Sequence, residues 1–315
     1  MKKIVLSLSM IAIVAIIAVG ATGAFYGDTE TSTGNTFTAG AIDLRVDNVS
    51  HYNRMVCKAS GTNGTTVYTW QPEVGFEPTP EHFPRTGDSC NGTWKETDLE
   101  GGVHTFFNFL DLKPGDEGED TISLHVFNND AWGQLVLDGI IDKDNSCTEP
   151  EQDMEEGNCD DEEEDNGEID KYLAFTGWLD QGLTPGFQCG TVPNNAMCSA
   201  DPAEGDNEYQ DEEGPKFWDE TLIGNLGPFD LSQVLGAAYQ IKRCEDPDGN
   251  TNYEGCHGLA ADGRMVKSTT YYFGLAWELP LDETENDAQT DQYSADMTFN
   301  VEQHRNNPNP FADEG

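Results

Sequence analysis

The sequence predicts an all-β protein, a β-sandwich with disulfide-stapled loop insertions and one short helix. Three observations predict it. Tyr293, Ala295, Met297, Phe299 and Val301 alternate with Ser294, Asp296, Thr298 and Asn300, which is the period of two expected of a half-buried strand. Helical spacing is confined to Asp230–Gln240, where Leu231, Val234, Leu235 and Ala238 share one face and Asp230 can cap. Between the strand signals lie acidic, Gly- and Pro-rich stretches that hold most of the eight cysteines.

The elements follow in order. Thr36–Val49 reads as one long strand carrying Phe37, Ile42, Leu44 and Val46, with a small-residue kink at Ala39-Gly40-Ala41. Residues 50–100 are loop-rich, with short strands at Thr65–Trp70 and Gly92–Thr97. Val103–Leu110 is aromatic-rich and reads as a strand. Lys113-Pro114-Gly115-Asp116 is a turn in which Pro presets φ and Gly permits the reversal. Thr121–Asn128 alternates Ile122, Leu124 and Val126 with Ser123 and His125, and Gln134–Ile141 continues after the Asn128-Asn129-Asp130 turn. Ile169–Leu179 is apolar and central, and Thr270–Leu279 places Tyr271, Phe273, Leu275 and Trp277 on one face. No fixed-period repeat and no linker divides the chain. It reads as one sandwich domain over 45–315, with acidic insertions near 142–170, 181–219 and 244–263.

The N-terminus carries an export signal. Lys2 and Lys3 precede Ile4–Val19, apolar except for Ser7 and Ser9, and Thr22-Gly23-Ala24 sets small residues where a signal peptidase needs them. The run is short for a bilayer, which takes ~20 residues. Cleavage between Ala24 and Phe25 is therefore expected, making 1–24 a signal peptide; an uncleaved anchor is the alternative. Losing Lys2 and Lys3 leaves 14 basic residues against 59 acidic ones, a net charge of −45 over 291 residues. That charge repels nucleic acid and anionic membranes, so neither is an expected partner. Aromatic residues at 10% and apolar residues at 36% argue against disorder and for a folded, halophile-type surface screened by salt.

Cys57, Cys90, Cys147, Cys159, Cys189, Cys198, Cys244 and Cys256 all follow the signal, and an even count in an exported chain implies disulfides. Sequential pairing is favoured by their placement in local loops, and no CxxC pair supports zinc.

Several segments carry a resemblance. Ala24-Phe25-Tyr26-Gly27-Asp28, followed by Asn35-Thr36-Phe37-Thr38-Ala39-Gly40-Ala41-Ile42-Asp43-Leu44, is similar to the N-terminus of the TasA/camelysin family of secreted fibre-forming proteins. Leu110-Asp111-Leu112-Lys113-Pro114-Gly115-Asp116, then a strand and Asn128-Asn129, resembles a second segment of that family. The run from Trp277 to Pro310, with Gln289-Thr290-Asp291 and Glu302-Gln303-His304-Arg305, resembles archaeal, haloarchaeal-type members. The resemblance implies a jelly-roll form of the sandwich, export through a SipW-type signal peptidase, and an extracellular fibre or pilus of biofilm-matrix type. It also implies assembly of the chain with itself, head to tail, by donor-strand complementation. The donor would lie within 25–44, with Phe25, Tyr26, Asn35, Thr36, Phe37, Thr38, Ala39, Gly40, Ile42 and Leu44 as its residues. The family's camelysin branch carries a metalloprotease label, but His51, His82, His104, His125, His257 and His304 include no HExxH and no helical pair. GxSxG, P-loop and dinucleotide fingerprints are absent too, so no catalytic residue is assigned.

The remaining candidates are ligand and modification sites. Asp246, Asp248, Asn250, Asn252 and Glu254 alternate as hard oxygen donors suited to calcium, although the EF-hand register fails at Gly249. Asp201, Glu204, Asp206 and Glu208 form a second such set, and for both the alternative is a solvated acidic loop. Asn48, Asn63 and Asn91 open glycosylation sequons. A monomeric calcium-binding or glycosylated envelope protein is therefore the main reading that competes with a fibre subunit, and a camelysin-type secreted metalloprotease is the third.

Overall fold

The computed structural model describes residues 27–31, 42–60, 66–109, 111–146, 148–154, 167–183, 186–187, 201–241 and 258–312. Strand alternation builds two antiparallel sheets from these residues. In β2, Asp43–Tyr52, every second side chain from Leu44 to Tyr52 is buried. β2 pairs along its whole length with β6, Glu117–Phe127, which pairs with β11, Thr269–Glu278, and β11 with β8, Ala174–Leu179. The other side of β2 is shared between β3, Met55–Ser60, and β5, Trp94–Thr97. β4, Val67–Pro72, extends one edge of this eight-stranded sheet and β9, Trp218–Leu222, the other.

The second sheet has four strands in the order β1, Gly27–Thr31; β12, Gln292–Gln303; β7, Ala131–Lys143; and β10, Phe229–Asp230. The Asn128-Asn129 corner, with Asn128 in the left-handed region (φ 70°), carries the chain from β6 in one sheet to β7 in the other. The core lies between the sheets. Leu44, Val46, Leu124, Tyr271, Phe273 and Leu275 face Leu135, Met297, Phe299 and Val301, all buried in one cluster. Each such side chain contributes roughly 1.5–3 kcal/mol on burial.

The all-β sandwich is as expected, and so is the helix. α2, Leu231–Ile241, buries Leu231, Val234, Leu235 and Ala238, and the Ser232 N–H donates to Asp230 Oδ1 at 2.8 Å as the expected cap. A second helix, α1, Glu149–Met154, is only six residues long. The Lys113–Asp116 turn also forms, with Asp116 N–H on the Lys113 carbonyl at 2.9 Å and Gly115 at φ 93°.

Two expectations need correcting. The described part of 103–110 is not a strand. Its aromatic rings plug the sandwich instead: Phe106 packs on Trp94 and Phe299, Phe107 on Phe175, and Phe109 on Tyr52 and Trp277. Ile169–Leu179 divides into a 3₁₀ turn at Ile169–Lys171 and the strand β8. The strand expected to start at Thr36 is described from Asp43, and 36–41 lie outside the described residues.

Candidate functional site

The segment expected to act as a donor strand is divided between the two sheets. β1 lies antiparallel on the edge of β12, from Gly27 opposite Glu302 to Thr31 opposite Thr298. Ile42 and Leu44 instead belong to the larger sheet and are 3% and 0% exposed in the core. Ala24, Phe25 and Tyr26, and Asn35 through Gly40, lie outside the described residues. β1 covers only residues 298–302 of β12, so among the described residues 292–297 have no strand on that side. Opposite this stretch β7 bulges at Gly139, and Ile140 and Ile141 stand about half exposed. An open edge with unpaired N–H and C=O groups is a template for a further strand.

The outer face of the larger sheet forms a second feature, a groove of about 820 Å³. Its floor includes the cross-strand row His51–Glu119–Ala276–Thr176, flanked by Val49 and Trp178. Burial pushes the Glu119 carboxyl well above the usual range, and Asp180, Asp120 and Glu73 add to it. Glu73 goes the other way, lowered by its 2.8 Å contact with His51 Nδ1 against an opposing effect of burial. One wall is the 201–214 loop, latched to the end of β8. Asp180 accepts from the Gly205 and Asn207 N–H groups (2.9 and 3.1 Å), and Glu213 from those of Gly182 and Gln210 (2.8 and 3.0 Å). Burial raises both carboxyls, and each acts on the other.

The third feature is a cluster that sequence reasoning missed. Asp144 follows β7, Glu151 lies on α1, and Asp291 precedes β12, yet each offers a carboxylate oxygen within 4.8 Å of the other two. Asp144 Oδ1 accepts from the Ser146 N–H (3.0 Å), Glu151 Oε2 from that of Thr148, and Asp291 Oδ2 from those of Glu168 and Ile169. Burial first, then Glu168 and Asp144, moves the Asp291 carboxyl up to about 7. About 140 residues separate Asp291 from its partners, so no spacing rule could have found the group.

The other expected sites fare variously. Cys57 and Cys90 form a disulfide, the first of the sequential pairs, while the other six cysteines lie outside the described residues. So do Asp246, Asp248, Asn250, Asn252 and Glu254. Asp201, Glu204, Asp206 and Glu208 form no such group: Asp201 Oδ1 takes the Ala203 N–H, Asp206 Oδ1 takes the Glu208 N–H and the Gln210 side-chain amide, and no metal-sized group among the described residues includes them. Nor does any such group include a histidine. Asn48 is corrected as a glycosylation site. It faces the core at 0% exposure and its Nδ2 donates to the Gly92 carbonyl at 2.5 Å, so the folded chain offers no amide there for transfer. Asn91 is exposed, and Asn63 lies outside the described residues. Among the described residues no helix is long and apolar enough to cross a membrane. No protein-family model, curated protein or solved structure matches the chain.

Proposed function

We propose that this chain is a structural subunit of an extracellular fibre, exported through a SipW-type signal peptidase and polymerised when β1 of one copy adds to β12 of the next. The observation that carries the reading is the position of β1: a five-residue edge strand on a twelve-residue neighbour whose remaining edge carries no strand among the described residues. Main-chain hydrogen bonds would give such an exchange its affinity with little demand on side chains. A head-to-tail contact of this kind is heterologous, so it propagates instead of closing. The resemblance of the N-terminal, Leu110–Asp116 and C-terminal segments to fibre-forming proteins supports the same reading.

The competing reading, a monomeric envelope protein, is favoured by β1 being seated on its own β12. Two variants separate them. Deleting residues 25–38 should abolish filaments in electron micrographs while the monomer keeps its β-type circular dichroism. Thr29→Cys with Asn300→Cys, opposed in the β1–β12 register, should trap monomers under oxidising conditions and release polymerisation on reduction. Filaments that persist in both cases would rule out the fibre mechanism.

A further inference from the structure

We propose that Asp144, Glu151 and Asp291 are the carboxylate ligands of a single calcium ion that fastens α1 and the segment before β12 to the end of the β7–β12 ladder. The inference does not depend on polymerisation.

Distance comes first. Calcium takes oxygen ligands at about 2.3–2.6 Å, so two ligands of one ion lie at most about 5 Å apart. The three carboxylates meet that limit, each offering an oxygen within 4.8 Å of the other two. Their remaining bonds then matter. Glu151 is 1% exposed; its Oε2 takes the Thr148 N–H, and its Oε1 is buried with no hydrogen-bond partner. Asp291 repeats the pattern, with Oδ2 holding two backbone N–H groups and Oδ1 buried without a partner. One oxygen of each side chain is thus oriented by the backbone and the other is left for a ligand, as supporting bonds do around metal centres.

Charge points the same way. Among the described residues no ion pair reaches Asp144, Glu151 or Asp291; the adjacent Lys171 ammonium is engaged by Glu168 at 3.2 Å. Burying an unpaired carboxylate costs several kcal/mol, and here two residues, Asp144 and Glu151, are at most 5% exposed. A divalent cation offsets that cost for all three at once.

Neutral hydrogen bonds frame the cluster. Asn145 Nδ2 donates to the Thr290 carbonyl (2.9 Å), Ser146 Oγ to Thr290 Oγ1 (3.1 Å), Thr290 Oγ1 to the Ser146 carbonyl (2.6 Å) and Thr148 Oγ1 to Gln289 Oε1 (3.2 Å). These neutral bonds set 145–148 against 289–290 and so bring the carboxylates face to face. The donors are all hard oxygens with no imidazole or thiolate, which selects against zinc and copper. Irregular loops with several protein carboxylates suit calcium's flexible shell better than magnesium, which demands near-ideal octahedral geometry and keeps several waters.

The test uses the full chain, stripped with chelator and held in molar potassium chloride to suppress diffuse binding. Calorimetric titration with calcium chloride should show one saturable event, accompanied by a rise in melting temperature. Glu151→Gln and Asp291→Asn should each weaken that event about 10-fold or more. Asp248→Asn, in the other candidate donor set, 246–254, should leave it in place. No saturable event, or one untouched by both cluster variants, would overturn the proposal; magnesium matching calcium would overturn the choice of ion. Where the cluster variants fail to fold, crystals of the natural chain grown with terbium decide. An anomalous peak among the three carboxylates supports the site, and a peak elsewhere or none rejects it.

Discussion

Trp277 lies flat over Gly118, its cross-strand neighbour on β6: a Cβ built on Gly118 would stand 2.6 Å from the indole ring. The ring covers the glycine's bare backbone and in turn supports Phe109 and Tyr52, with ring centroids 4.8 and 5.8 Å away. Gly118→Ala should therefore destabilise the fold by about 1–3 kcal/mol through overpacking, read as a lower denaturant midpoint at unchanged slope. Gly227→Ala, where a Cβ meets nothing within 4 Å, is the control and should leave the midpoint nearly unmoved.

The pH dependence should run opposite to that of a protein held by salt-bridged acids. Asp120, Asp180 and Glu213 are all raised, chiefly by burial. A carboxyl raised on folding holds its proton more tightly in the folded state. Stability is then greatest below the unfolded value and falls as pH rises towards the folded one. Melting temperature at fixed high salt should increase as pH is lowered from about 8 to about 6. Asp120→Asn, which needs no proton, should flatten part of that slope and gain relative to the natural chain on the alkaline side.

Asn48 joins β2 to the Gly92 carbonyl, and Thr93 Oγ1 accepts the Ser50 N–H at 3.0 Å beside it. Replacing Asn48 by Ala leaves that buried carbonyl without its donor and should cost about 1–3 kcal/mol. Mass spectrometry of the natural protein should find peptides containing Asn48 unmodified.

The Cys57–Cys90 disulfide closes a loop with a sequence separation of 33. Changing both residues to Ala should cost about 3–4 kcal/mol if the bond acts mainly on the unfolded chain. Chemical denaturation of the natural chain and the double variant, both kept oxidised, measures it as the difference between their midpoints at unchanged slope.

How much of this was legible depends on range. Alternation revealed β6, β11 and β12 because their apolar side chains keep to the core face, even where polar ones such as Ser123 and Thr298 are buried on the other, and the inward set Tyr271, Phe273, Leu275 and Trp277 was correct residue by residue. Phe106, Phe107 and Phe109 misled because aromatic density marks burial without saying whether the backbone joins a ladder. β3 was missed since Met55, Val56 and Cys57 are all buried, and since the reversal before it places Asn53 and Arg54 at positive φ (47° and 62°), where arginine gives no turn signal. The Asp144–Glu151–Asp291 cluster was illegible for a different reason. It exists only once the β7–β12 ladder has set Lys143 opposite Gln292.

The division of the N-terminal segment also sets a ruler. Ile42 is fixed in the core, whereas Thr31 ends a strand at the periphery, and ten residues join them. Fully extended, the span from Thr31 to Ile42 reaches about 40 Å at most. Any neighbour that receives β1 must bring its own Thr298, the residue opposite Thr31, within about that radius of the donor's Ile42. If the chain polymerises as proposed, the reach from one subunit to the next is bounded by the length of one connecting segment, and inserting or removing residues between 32 and 41 should move that bound by about 3.3–3.6 Å per residue.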